Sequence, residues 1–337
     1  MTNALTKLLA EREWLLADGA TGTTLFNMGL MSGDAPELWN TDKPDNIRKL
    51  YAGAVDAGSD LFLTNSFGGN ASRLKLHDAQ SRVRELNKAA AEIGREVADA
   101  SGRTVVVAGS VGPTGDILEP VGTRTHAEAA EMFEEQGAAL LEGGADVLWV
   151  ETISSEEEMA AAADAFARLN APWCGTMSFD TAGRTMMGVT SERLAQYMAT
   201  LPHQPIAFGA NCGVGSSDLL RTVRGFAAAS SDQILIAKGN AGIPKYVEGS
   251  ILYDGTPELM SDYAIMARNL GARIIGGCCG TTPEHLSAMR AVLEATPKSE
   301  APGLDEIAAK LGGFSSDSDG TGAAEAAPAR PRRRRRG

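Results

Sequence analysis

The stretch DVLWVETISSEEEMAAAADAFARL, residues 146–169, joins a short apolar run to a longer segment of helical periodicity. Residues 146–152 carry Val, Leu, Trp and Val in succession, the composition of a strand buried on both faces. Residues 155–169 follow as an amphipathic segment long enough to cover a sheet. A buried strand leading into a covering helix is a βα unit, and its repetition decides the fold.

The same alternation runs from the start of the chain to about residue 295. The further strands are WLLAD (14–18), DLFLTN (60–65), TVVVAGS (104–110), WCGTMSF (173–179), IAFGANC (206–212), QILIAKGN (233–240) and RIIGGCC (273–279). Helical segments fall at 45–58, 81–100, 126–143, 190–200, 216–229, 257–270 and 284–294. Eight βα units predict an α/β fold, a (β/α)8 TIM barrel over residues 1–296, with a doubly wound open sheet as the alternative. Residues 297–337 change to Ser, Asp, Gly, Ala and Pro and end in ARPRRRRRG, which predicts a disordered tail.

At 337 residues and 43% hydrophobic content the chain can bury a substantial core, and length alone admits one domain or two. A net charge of -12 argues against a nucleic-acid-binding surface, which needs clustered Lys and Arg. The terminal arginines could meet a polyanion or an acidic partner; a solvated tail, or contact with the protein's own acidic surface, is the simpler reading. No apolar run is long enough to span a bilayer, and MTNALTKLLAERE lacks a signal-peptide core, so a cytoplasmic protein without membrane contact is expected. Self-association is left open by the sequence.

In a barrel of this kind the active site forms at the C-terminal ends of the strands. Those ends carry Asp18, Asn65, Ser110, Glu151, Ser178, Cys212, Asn240, and the pair Cys278 and Cys279. Asp18 opens the turn DGATGT, where Gly19 would let backbone approach a ligand, although a tight turn needs glycine in any case. Glu151 ends the apolar run VLWV and needs either solvent or a cation, supplied by a substrate ammonium group or by a neighbouring Arg or Lys. Lys238 could form a Schiff base, as in a lyase barrel, or an ion pair with Glu151 or another rim carboxylate. The four histidines show no paired helical spacing and are assigned no catalytic role.

Four cysteines in a reducing compartment are core residues, nucleophiles or metal ligands rather than disulfides. A bridge between the adjacent Cys278 and Cys279 would need strained geometry. Cys212 in GANCG and the pair in GGCCG end strands six and eight, so three sulfurs collect on one rim, with flanking glycines that let the vicinal pair turn toward one ion. Three thiolates would leave a fourth tetrahedral position open, as in a catalytic zinc site, whereas the alternative is that they are small buried hydrophobes. Cys174, near the start of strand five, is read as packing.

Taken in order, DGATGT, LTNSFGGN, VAGSVGPTG, VETI, GANCG, GNAG and GGCCGTTPEH resemble the homocysteine S-methyltransferase family over residues 14–295. The resemblance implies Zn2+ held by Cys212, Cys278 and Cys279, with the homocysteine sulfur as fourth ligand. It also implies that Glu151 contacts the homocysteine amino group and that Asp18 and Gly19 lie beside the substrate. Asn65 is carried over as a substrate-binding residue, and Asn211 and Asn240 are weaker carry-overs. The implied activity is zinc-dependent methyl transfer in methionine biosynthesis, with the zinc-bound substrate thiolate as nucleophile and no side-chain nucleophile.

Members of the family take their methyl group from betaine, methylated sulfur compounds or methylcobalamin. The betaine-specific branch has tyrosines just after the second strand and directly after the fourth-strand glutamate. Here Gly68 and Gly69 follow Phe67, and Thr152 follows Glu151, so aromatic faces for a quaternary ammonium are missing at both places. The motifs are more similar to the homocysteine module of cobalamin-dependent methionine synthase. This implies methylcobalamin presented by a separate corrinoid protein, with betaine as the alternative donor and Trp39 as an aromatic that could rebuild a cage. Functions of other classes are a Schiff-base lyase using Lys238 and a non-catalytic zinc-binding protein.

Overall fold

Alternate residues of the run at 146–153 part to opposite sides, as a pleated strand requires. Val147 and Trp149 join a buried cluster with Leu15, Leu61, Val106, Cys174, Ala207, Ile236 and Ile274. Leu148 and Val150 join another with Met159 and Phe166 of the helix Glu156–Arg168. That helix starts where the Ser155 side chain accepts the Glu158 N–H, and three glutamates in its first turn complement the helix dipole. Its buried alanines let it lie close on the sheet, and fully burying Phe166 contributes about 1.5–3 kcal/mol.

Repeating this unit gives the architecture of the computed structural model, which describes residues 3–229, 232–247 and 250–320. Its strands are β1 (Leu15–Leu16), β2 (Leu61–Leu63), β3 (Val106–Val111), β4 (Val147–Ile153), β5 (Trp173–Met177), β6 (Ala207–Cys212) and β7 (Ile234–Gly239). A hairpin of β8 (Pro244–Val247) and β9 (Ser250–Tyr253) precedes β10 (Ala272–Gly277). Eight of these are parallel in the order β1-β10-β7-β6-β5-β4-β3-β2. The order never reverses, which excludes the doubly wound sheet and makes the fold a (β/α)8 TIM barrel.

The seam between β1 and β2 is held by two aspartates. Asp60 N–H donates to Leu16 O at 2.7 Å, and Asp60 Oδ2 accepts Leu16 N–H at 2.9 Å. Toward the other end, Asp18 Oδ2 accepts Leu63 N–H at 2.8 Å. Asp60 is fully buried and is ringed by the guanidinium groups of Arg12, Arg103 and Arg290. The helix Ala4–Glu11 buries Leu5, Leu8 and Leu9 against the barrel-interior cluster, so the N-terminal end of the barrel is plugged.

Two features differ from the sequence expectations. The hairpin β8–β9 was not foreseen, because its two four-residue strands are antiparallel and stand outside the βα alternation. The segment beyond residue 296 also continues as a helix, Leu304–Leu311, with Ile307 and Leu311 buried. Residues 312–316 then run along the helix Ser216–Ala229, where Arg221 donates to Ser316 O at 2.7 Å and stacks on Phe314. The tail expected from residue 297 is thus ordered through Gly320, because LDEIAAKL has an apolar face to bury. The arginine run lies outside the described residues. Among the described residues no helix is long and apolar enough to cross a membrane.

Candidate metal and substrate site

The inward parity of each strand carries upward from the packed interior to the rim. Above Val106 and Ala108 comes Ser110; above Val147 and Trp149, Glu151; above Ala207, Asn211; above Ile236, Lys238; and above Ile274, Cys278. Ser110, Glu151, Lys238 and Cys278 line one cavity of about 410 Å³ at the C-terminal end of the barrel, together with Asp18, Gly19, Asn65, Cys212 and Cys279. All seven of the expected substrate and metal residues are therefore brought to one place.

Cys212 breaks that parity. On β6 the inward residues are 207, 209 and 211, so an extended Cys212 would face outward. Its backbone instead adopts φ +62°, the left-handed region that non-glycine residues rarely occupy. Cys278 and Cys279 need no such turn, because β10 ends at Gly277 and both lie in the loop beyond it. The glycines before them serve close packing: a Cβ on Gly277 would meet Thr281 Oγ1 at 2.2 Å, and one on Gly276 would meet Ala17 Cβ at 2.7 Å.

The three sulfurs lie within 4.8 Å of one another. Hydrogen bonding within the trio, with burial adding to it, pushes Cys212 up to about 12 and Cys279 up to about 11. Without a cation these thiols hold their protons, and a metal ion would displace them. Three soft donors converging on a cavity fit zinc better than magnesium or calcium. Cys174 is fully buried within β5 and raised to about 12 by burial, in keeping with a packing role.

Neighbouring side chains orient the trio. Asn211 donates to Cys278 Sγ at 3.9 Å and to Thr152 Oγ1 at 2.8 Å, while its carbonyl accepts Thr152 N–H at 2.9 Å. Asn240 accepts Cys279 N–H at 3.1 Å and donates to Gly213 O at 2.9 Å. The Tyr253 hydroxyl, at the end of β9, lies beside the Cys279 sulfur. Sequence reasoning missed Tyr253, which lies between the seventh strand and the helical segment 257–270 with no motif to mark it.

The other wall is ionic. Glu151 Oε1 accepts Ser110 Oγ–H at 2.5 Å, and burial raises the Glu151 pKa, opposed by the charge of Lys238. Lys238 is 2% exposed and pairs with Asp18 Oδ1. This is the ion pair with another rim carboxylate that the sequence allowed for Lys238. A Cβ on Gly19 would meet Thr281 O at 2.6 Å, so packing against the loop after β10 already requires glycine there. Asn65 donates to Pro36 O at 2.8 Å and to Asn40 Oδ1 at 2.9 Å, bracing the loop after β1. Among the described residues Phe67 is the only Phe, Tyr or Trp lining the cavity; Trp39 is buried elsewhere with Lys43 Nζ 4.1 Å from its ring centroid.

Fold and site define a barrel with a metal-competent cysteine trio and a carboxylate lining one cavity, a class suited to handling thiols. Residues 15–293 match the model of the homocysteine S-methyltransferase family, and the chain belongs to that family. Methionine synthase from Mycobacterium tuberculosis is 30% identical over 298 residues, 83% of this chain but 24% of that protein. Methionine synthase from Mycobacterium leprae is 30% identical over 305 residues, 86% of this chain and 25% of that protein. The chain thus spans about a quarter of the length of these relatives. The metallated form of the homocysteine methyltransferase MmuM from Escherichia coli superposes with a TM-score of 0.69 at 25% identity, covering 86% of this chain and 99% of that one.

Proposed function

We propose that this chain methylates homocysteine to methionine in a zinc-dependent reaction in the cytoplasm, with the methyl group supplied by methylcobalamin on a separate corrinoid protein. The observation that carries the reading is the cysteine trio opening onto a cavity that Glu151 also lines. Cys212, Cys278 and Cys279 would hold the zinc, which when bound supplies the positive charge that lets a substrate thiol lose its proton at neutral pH.

The chain's own residues do the rest. Glu151 takes the homocysteine ammonium group, with Asp18, Gly19 and Asn65 along the same wall. Asn211, Asn240 and Tyr253 hold the sulfurs in register. In the overall exchange the S–H proton is released, the S–CH3 bond forms, and the donor keeps the electron pair of its broken bond.

Two observations support a protein-borne donor over betaine. Among the described residues the cavity lining offers Phe67 as its one Phe, Tyr or Trp ring, where a quaternary ammonium would want several aromatic faces. Leu76 on the cavity lining is exposed, as are Val121 and Met186 on the lining of a second cavity that shares Thr152 with it, apolar surface of the kind that receives a protein. Methionine formation by the purified protein with homocysteine and each donor in turn tests the reading. Turnover with a methylated corrinoid protein is expected; turnover with betaine alone would overturn the donor assignment.

A further inference from the structure

Glu37 is buried on the cavity lining with Oε1 accepting Gly68 N–H at 2.6 Å, and outside the cysteine trio the other buried ionisable groups there are coupled to one another: Asp18, Glu151 and Lys238. The two carboxylates of that set are not equivalent. Asp18 has both oxygens engaged by the protein, Oδ1 by the Lys238 ammonium and Oδ2 by Leu63 N–H at 2.8 Å across the seam. Lys238 Nζ also reaches Asp18 O at 3.4 Å. Glu151 receives only the Ser110 hydroxyl, on Oε1, so among the described residues no hydrogen bond is made to its Oε2.

From this asymmetry, and resting on the proposed function, we infer that Lys238 is a specificity-determining positioning residue. It commits Asp18 to the barrel seam and leaves Glu151 as the one of these two carboxylates free to meet a substrate ammonium. With all three groups ionised the wall carries -1, as two carboxylates and one ammonium. A thiol with a single α-ammonium group supplies that charge with a counter-ion while remaining neutral overall as a zwitterion. A thiol lacking the amino group does not, and its own carboxylate is repelled.

Pair removal separates this assignment from direct contact between Asp18 and substrate. Asp18→Asn strands the Lys238 charge, which then competes with the substrate ammonium for Glu151. Lys238→Met strands the Asp18 charge and leaves two carboxylates facing each other. Removing one member of a buried ion pair leaves an uncompensated charge, whereas replacing both is often neutral. The double variant Asp18→Asn/Lys238→Met restores a wall of -1 with Glu151 intact.

The experiment is calorimetric titration of zinc-loaded wild type, both single variants and the double variant with homocysteine and with 4-mercaptobutanoate, which lacks the amino group. Zinc content and thermal melts of the metal-free proteins accompany it. Asp18→Asn should bind homocysteine about 30-fold or more weaker than wild type, and the double variant at least about tenfold tighter than Asp18→Asn, while Lys238→Met should lose stability through its unpaired Asp18 charge, a strongly non-additive cycle. The preference for homocysteine over 4-mercaptobutanoate should fall in Asp18→Asn and return in the double variant. A purely structural role would weaken both thiols alike. Melting temperatures should follow the same order, with the double variant recovering what either single variant loses. If wild type binds homocysteine and the double variant stays as weak as Asp18→Asn, Asp18 touches the substrate and the inference is overturned alone. If wild type binds neither thiol, the proposed function falls and the inference with it.

Discussion

Replacing Glu151 by Gln should weaken homocysteine binding while leaving the metal-free protein at least as stable, two effects of opposite sign from one isosteric change. In the proposed complex the Glu151 carboxylate faces the substrate ammonium group inside a buried cavity. Exchanging it for a neutral amide leaves that ammonium without its counter-charge, a loss of about 3–4 kcal/mol, or roughly 10² to 10³ in Kd. In the metal-free protein the same carboxylate is a burden. Burial raises its pKa above the ordinary 4.5, so the folded state binds the proton more tightly than the unfolded state does. Its contribution to stability is complete below 4.5 and is lost as pH rises through the raised folded value. Glutamine has no such pH dependence and can still accept the Ser110 hydroxyl. The melting temperature of Glu151→Gln should therefore match or exceed wild type at pH 8, and the difference should shrink toward pH 5. Calorimetry with homocysteine on the zinc-loaded proteins and thermal melts on the metal-free ones read the two effects separately. A change in Kd below about threefold, less than about 0.7 kcal/mol, would refute the ammonium assignment. A variant that melts well below wild type at pH 8 would show that the carboxylate is structural instead.

Further changes test the rest of the site and the barrel. Cys212→Ala should abolish the binding of about one zinc per chain, measured by metal analysis after dialysis, while far-UV circular dichroism stays unchanged; retained stoichiometric zinc would remove Cys212 from the site. Tyr253→Phe deletes the hydroxyl beside the Cys279 sulfur and should weaken zinc about tenfold in a chelator competition, without lowering the melting temperature. Asp60→Asn removes the charge shared by Arg12, Arg103 and Arg290. Since those guanidinium groups are partly solvated, the expected cost is about 2–3 kcal/mol in denaturant unfolding, and an unchanged midpoint would contradict the seam role.

How far the site could be read from sequence depends on which physical rule positions each residue. Period-two alternation runs unbroken from Val147 through Trp149 to Glu151 and from Ile236 to Lys238, so the inward aim of both polar groups was legible once the strands were recognised. Cys212 violates that rule, and only its company in GANCG and GGCCG gave it away; the left-handed backbone that swings it inward leaves no trace in periodicity. The hairpin bearing Tyr253 is too short for a periodic signal. The pairing of Lys238 with Asp18 lay beyond any local pattern, since it joins residues 220 apart in the chain through closure of the barrel. Alternation states which way a side chain faces, and only the ring of strands determines whom it meets. Residues joined by closure carry the difference between Asp18 and Glu151 on the cavity lining: Asp18 lies at the seam with both oxygens engaged there, while Glu151, three strands further along the chain, leaves one oxygen open to whatever enters.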